Sequence, residues 1–135
     1  MTAPIPDRPF EPLRDQWAVA LTSYRRDGTP VSTTVNIAVD GERAFVRTYE
    51  QAWKFKRIRR DPRVLVAPST AKGRPTGPPI EAHARVLEGA AADHARRLIE
   101  RKHPWFQGIL VPLAHRLRGY RTVHLELRPA DADPG

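Results

Sequence analysis

Cysteine does not occur in this chain of 135 residues, which excludes disulfides, thiolate nucleophiles and cysteine-ligated zinc or iron–sulfur centres. No apolar run approaches the roughly 20 residues of a membrane span, so a soluble cytoplasmic protein is expected. The Walker loop, the Rossmann glycine fingerprint and the nucleophile elbow are also missing, and nucleotidase and hydrolase readings lose their usual support. Histidines stand at 83, 94, 103, 115 and 124 without a short ligand pair. Glu81 with His83 is the best metal candidate, but it supplies two ligands where catalytic zinc has three, so no metal is expected. Aromatic residues make up only 7% of the chain and show no stacking motif, which makes a nucleic-acid-binding barrel a weak alternative.

What the chain does have is positive charge. Lys and Arg total 23 against 15 Asp and Glu, a formal charge of +8, so a partner should carry negative charge. The densest cluster is KFKRIRRDP, Lys54 to Pro62. Read as a helix opening at Trp53 and stopped by Pro62, it places Lys54, Arg57 and Ile58 near one another and turns Lys56, Arg59 and Arg60 elsewhere. The amide groups and dipole at its start favour a phosphate even before Lys54 adds its charge. The competing reading is a solvated basic face, which is what a run of charge ordinarily marks. The loop AKGRPTGPP, Ala71 to Pro79, offers two cations and two glycines that let backbone approach an anion, or else it is a connection stiffened by proline.

The rest reads as strands. Trp17–Tyr24 and the β-branched run Val31–Val39 flank turn residues, and Asp40-Gly41 leads into Ala44–Thr48, which predicts a three-stranded meander. Val64–Pro68 forms a fourth strand. Ile80–Leu87 alternates so that Ile80, Ala82, Ala84 and Val86 share one face, and Thr122–Arg128 alternates again. A helix is expected over Ala90–Lys102, and an irregular one over Trp105–Leu117, where Gly108 and Pro112 disfavour continuity. Residues 1–13, with prolines at 4, 6, 9 and 12, read as an extended arm, 14–128 as one domain and 129–135 as a tail. The fold class is therefore mainly β with accessory helices, a six-stranded antiparallel barrel.

In this order, GTPVSTTVNIAVDG, AWKFKRIRRDPRVLVAP and KGRPTGP resemble the split β-barrel oxidoreductases related to pyridoxamine 5'-phosphate oxidase, with an FMN-binding-protein-like fold. Within them the pattern is most similar to the actinobacterial deazaflavin/flavin oxidoreductases of branch B, which use coenzyme F420. The resemblance spans about residues 14–128. It implies a homodimer with cofactor sites at the interface and hydride transfer between F420, alternatively FMN, and a small or medium-sized organic acceptor. By the same resemblance Lys54 contacts cofactor phosphate, Thr48, Gln51 and Trp53 shape the phosphate pocket, and Ser32, Thr33, Thr34 and Asn36 lie beside the ring and ribityl chain. Lys56, Arg57, Arg74 and Gly77 extend this mapping. No side chain is required as a nucleophile, and Tyr49, Tyr120, His83 or solvent are the candidate proton donors. A non-catalytic cofactor or tetrapyrrole carrier is a further alternative.

Overall fold

The computed structural model describes residues 9–130. Seven strands form one antiparallel sheet: β1 (Ala18–Tyr24), β2 (Pro30–Val35), β3 (Ala38–Asp40), β4 (Arg43–Tyr49), β5 (Arg63–Ser69), β6 (Ile80–Leu87) and β7 (Thr122–Pro129). Their order is β2-β1-β5-β6-β7-β4-β3. The expected count of six strands is corrected to seven because the run 31–39 breaks at Asn36–Ile37 into β2 and β3. The expected meander is corrected as well. β2 pairs only with β1, while β3 pairs with β4, so one continuous stretch of chain supplies both edges of the sheet. The split barrel is thus joined by the backbone across the break, with no ladder between β2 and β3.

Inside the sheet lies the main core, with Val19, Leu21, Ile37, Val46, Val66 and Leu125 among its fully buried residues. Helix α1 (Trp53–Arg60) closes one side by burying Phe55 and Ile58, spaced i, i+3, and ends before Pro62 as expected. On the outer face, helix α2 (Gly89–Lys102) lays Ala95 and Ile99 on Ala38, Phe45 and Leu87. This second cluster explains a departure in β6. Val86 was expected to face inward with Ala82 and Ala84, but Leu87 is buried beneath α2 and Val86 is exposed.

After α2 the chain makes a π-helical turn (Phe106–Leu110) and then helix α3 (Val111–Arg118), which Gly119 ends at φ +70°. Pro112 has no N–H for the Gly108 carbonyl, and the wider turn, in which Leu110 N donates to Trp105 O at 3.2 Å, absorbs the irregularity. From Pro9 onward the expected extended arm is replaced by a short 3₁₀ turn (Glu11–Leu13) because Phe10 and Leu13 drop into the main core. Residues 1–8 of that arm, and 131–135 of the expected tail, lie outside the described residues. Among the described residues no helix is long and apolar enough to cross a membrane.

Candidate functional site

The break at Asn36–Ile37 costs the backbone its ladder partners, and hydrogen bonds that link Asn36 and Ile37 to Trp17, Gln107 and His103 hold the chain there. Asn36 Nδ2 donates to the Trp17 carbonyl at 2.7 Å, and Gln107 Nε2 donates to Asn36 Oδ1 at 2.8 Å. His103 Nε2 lies 3.2 Å from the Ile37 carbonyl. Beside them a cavity of about 300 Å³ opens between β2, β4, α1 and the π-helical turn. Trp17, Phe106 and Val111 form its apolar wall; Thr34, Asn36, Arg47, Thr48, Lys54 and His115 give it polar points.

Arg47 is the wall's fixed cation. Its side chain is 2% exposed and each of its three nitrogens is engaged: Nε donates to His124 Nε2 at 3.2 Å, Nη1 to the Gln107 carbonyl at 2.7 Å, and Nη2 to Glu100 Oε2 at 2.8 Å. Burial, with the neighbouring Arg47 and Arg96 charges, pushes His124 down to about 4, so its imidazole is neutral and accepts from Arg47. The network ties β4, β7, α2 and the π-helical turn together behind the cavity.

Lys54, at the start of α1, behaves oppositely. Half-buried, it has no hydrogen bond or ion pair within the limits of contact among the described residues. Desolvation, reinforced by the Arg57 charge, lowers its ammonium from 10.5 to about 8. Close by in the lining, Thr48 is buried and its Oγ1 has no hydrogen-bond partner. An unpaired cation and an orphaned hydroxyl at one cavity fit a phosphate-bearing group, which accepts from both.

The structure brings Thr34, Asn36, Thr48 and Lys54 of the expected site residues to this cavity, and separates the others. Ser32 is exposed on β2 and Thr33 half-buried, its Oγ1 also without a partner. Gln51 is exposed and accepts from the Arg121 amide at 3.4 Å. Trp53 is 74% exposed, with Lys56 Nζ 4.7 Å above its ring, and Arg57 Nε donates to Ser23 Oγ at 2.8 Å. Arg74 is exposed on a loop pinned through Thr70, where Thr70 N donates to the Arg74 carbonyl at 2.9 Å. The two loop glycines serve close packing: a Cβ on Gly77 would stand 2.8 Å from Pro68 Cγ, and one on Gly73 2.5 Å from Thr34 Oγ1. Gly73 therefore lets the loop lie across Thr34 at the cavity edge.

Sequence reasoning missed Arg47, Trp17, Gln107 and His115 as lining residues. Arg47 had a signal, a lone arginine within the otherwise uncharged strand interior AFVRTY. Of the candidate proton donors, Tyr49 lines the cavity and Tyr120 stacks on it at 4.3 Å, whereas His83 lines other pockets on β6. Burial, aided by Arg47, lowers His115, whose Nδ1 lies 2.9 Å from Thr122 Oγ1. Among the described residues no group of three potential metal ligands is found.

No protein-family model and no curated protein sequence matches the chain. Solved structures do. A provisionally assigned pyridoxamine 5'-phosphate oxidase from Listeria innocua is 21% identical with a TM-score of 0.60, covering 86% of each chain. The heme storage protein HutZ from Vibrio cholerae is 15% identical with a TM-score of 0.62, covering 89% of this chain and 84% of its own. A FAD-binding protein from Mesorhizobium loti is 15% identical with a TM-score of 0.60, covering 88% of this chain and 83% of its own. The chain thus shares with these three proteins the fold of a split antiparallel β-barrel.

Proposed function

We propose that this protein is an oxidoreductase that binds a flavin-type cofactor, coenzyme F420 with FMN as the alternative, in the cavity at Lys54. The observation that carries the reading is the pairing of a desolvated, unpartnered ammonium at Lys54 with the orphaned Thr48 hydroxyl. The resemblance of the Lys54–Pro62 segment to F420-dependent relatives, and the flavin bound by a neighbour of the same fold, support it. The bound cofactor supplies hydride transfer to a small or medium-sized organic acceptor. Lys54 and Thr48 hold its phosphate, Thr34 and Asn36 border it, and Trp17, Phe106 and Val111 keep water from the cavity. Tyr49 and His115 also line the cavity and are the side chains placed there to hand on a proton.

A homodimer completes this proposal. Trp105, Ile109, Leu113 and Leu117, spaced i, i+4, i+8 and i+12, are exposed along the π-helical turn and α3. That stripe adjoins Trp17 and Phe106 at the cavity wall, and a second copy of the chain seated on it would cover both. Light scattering on the purified protein should give twice the chain mass. Fluorescence titration with F420, and with FMN in parallel, tests the cofactor. Saturable preference for F420 supports the deazaflavin reading, preference for FMN moves the protein to flavin chemistry, and binding of neither removes the proposal.

A further inference from the structure

A second cavity, of about 420 Å³, is lined by Arg25, Arg26, Trp53, Arg57 and Arg60 and shares no lining residue with the one at Lys54. Arg25 and Arg26 come from the turn between β1 and β2, and Trp53, Arg57 and Arg60 form an i, i+4, i+7 stripe on α1. Among the described residues no carboxylate lines it. Asp27 on the same turn is engaged with the Thr29 amide at 2.9 Å, and Asp61 with Arg63 at 2.8 Å. Arg57 and Arg60 are held on neutral acceptors, the Ser23 hydroxyl and the Tyr24 carbonyl, which leaves most of their N–H groups unused. Desolvation lowers Arg57, and the crowding of Arg25 and Arg60 lowers it further, as expected where like charges share a site; Asp27 and Asp61 feel the charges of Arg25 and Arg60 but spend their hydrogen bonds on Thr29 and Arg63.

Trp53 adds a second requirement. It is 74% exposed, and Lys56 covers its ring on one side at 4.7 Å. Four guanidinium groups exceed what a single phosphate engages, and an exposed indole among them offers area for a flat ring. A stacking surface beside cations is the arrangement that takes a base and its phosphates together.

We propose that Arg25, Arg26, Trp53, Arg57 and Arg60 form a binding site for a nucleoside diphosphate group, its phosphates on the arginines and its base on Trp53. That chemistry is common to a free nucleotide and to the nucleotide end of a dinucleotide cofactor.

Calorimetric titration of the full chain with ADP and with pyrophosphate tests the site. ADP is expected to bind saturably and about tenfold more tightly than pyrophosphate, a difference that Trp53→Ser removes. The double variant Arg25→Ser/Arg26→Ser, on an exposed turn, should lose about tenfold or more in ADP affinity while its thermal midpoint and its FMN and F420 affinities stay unchanged. FAD and FMN then separate the sources. FAD binding more tightly than FMN, with the gain lost in the double variant, identifies a dinucleotide; FAD binding no more tightly than FMN, while ADP still binds to FMN-saturated protein, identifies a free nucleotide. Equal affinity for ADP and pyrophosphate, unchanged ADP affinity in the double variant, or no ADP binding overturns the proposal. Lys54→Ala weakens F420 and FMN and leaves ADP untouched, so failure at one cavity is distinguishable from failure at the other.

Discussion

Arg47 and Lys54 line the same cavity, yet one is bonded through all three of its guanidinium nitrogens and the other to none of the described residues. The paired cation belongs to the architecture. Its partners come from α2, the π-helical turn and β7, so its burial is offset by hydrogen bonds to elements that already pack against β4. The unpaired cation belongs to whatever enters. It bears desolvation without compensation, which a phosphate would supply. Two like charges a few residues apart thus divide between holding the wall and holding a ligand.

The sharpest break in that contrast is Arg47→Met. Removing one partner of a buried network leaves His124 and the Gln107 carbonyl without their donor and Glu100 with Arg96 alone, and a loss of about 3–5 kcal/mol in urea unfolding is expected. A loss below about 1 kcal/mol would erase the distinction. Lys54→Ala should do the reverse, weakening cofactor binding by about 1.5–3 kcal/mol with the urea midpoint unchanged or raised. Unchanged affinity in the folded variant would refute the assigned role.

Proton linkage sharpens the same point. Because Lys54 titrates at about 8 in the folded protein, affinity for a phosphate-bearing cofactor should fall as pH rises through that value, approaching tenfold per pH unit, while Lys54→Arg holds it level. The sign for stability is opposite. Between about 8 and the ordinary 10.5 the unfolded chain retains a proton that the folded chain has released, so this group's contribution to stability rises with pH there. A pH series of affinity on both proteins checks the first statement, and unfolding of the cofactor-free protein the second. The smallest effect belongs to Thr48→Val. With no partner to lose, the fold should be as stable or slightly more so, and cofactor affinity should drop by about 0.5–1.5 kcal/mol. Destabilisation instead would show that the hydroxyl already serves the fold.

Much of the barrel was legible because its signals are local. Period-two alternation located β6 at Ile80–Leu87 to the residue, and Pro62 marked the end of α1. What alternation does not carry is the partner of a strand. The run VSTTVNIAV is uniformly extended in character, and its break at Asn36–Ile37 is imposed from outside by Trp17, His103 and Gln107, which are 19 to 71 positions away. The site divides in the same manner. Lys54 was legible from the charge run and the helix start, whereas Arg47 and Gln107 reach the cavity only through tertiary contacts. Val86 shows the limit within a single strand, since α2 buries Leu87 and reverses the phase.

The position of β7 has a consequence for when this molecule becomes whole. Thr122–Pro129 lies between β6 and β4, although every other strand precedes it in the chain. During synthesis, then, β2-β1-β5-β6 and the β3-β4 pair emerge as two ladder fragments joined by backbone and by the packing of α2, each with a bare flank. Neither flank has a ladder partner until residues 122–129 leave the ribosome. The cavity, whose wall depends on His124 reaching Arg47, matures with that last insertion, so ligand competence arrives late and in one step.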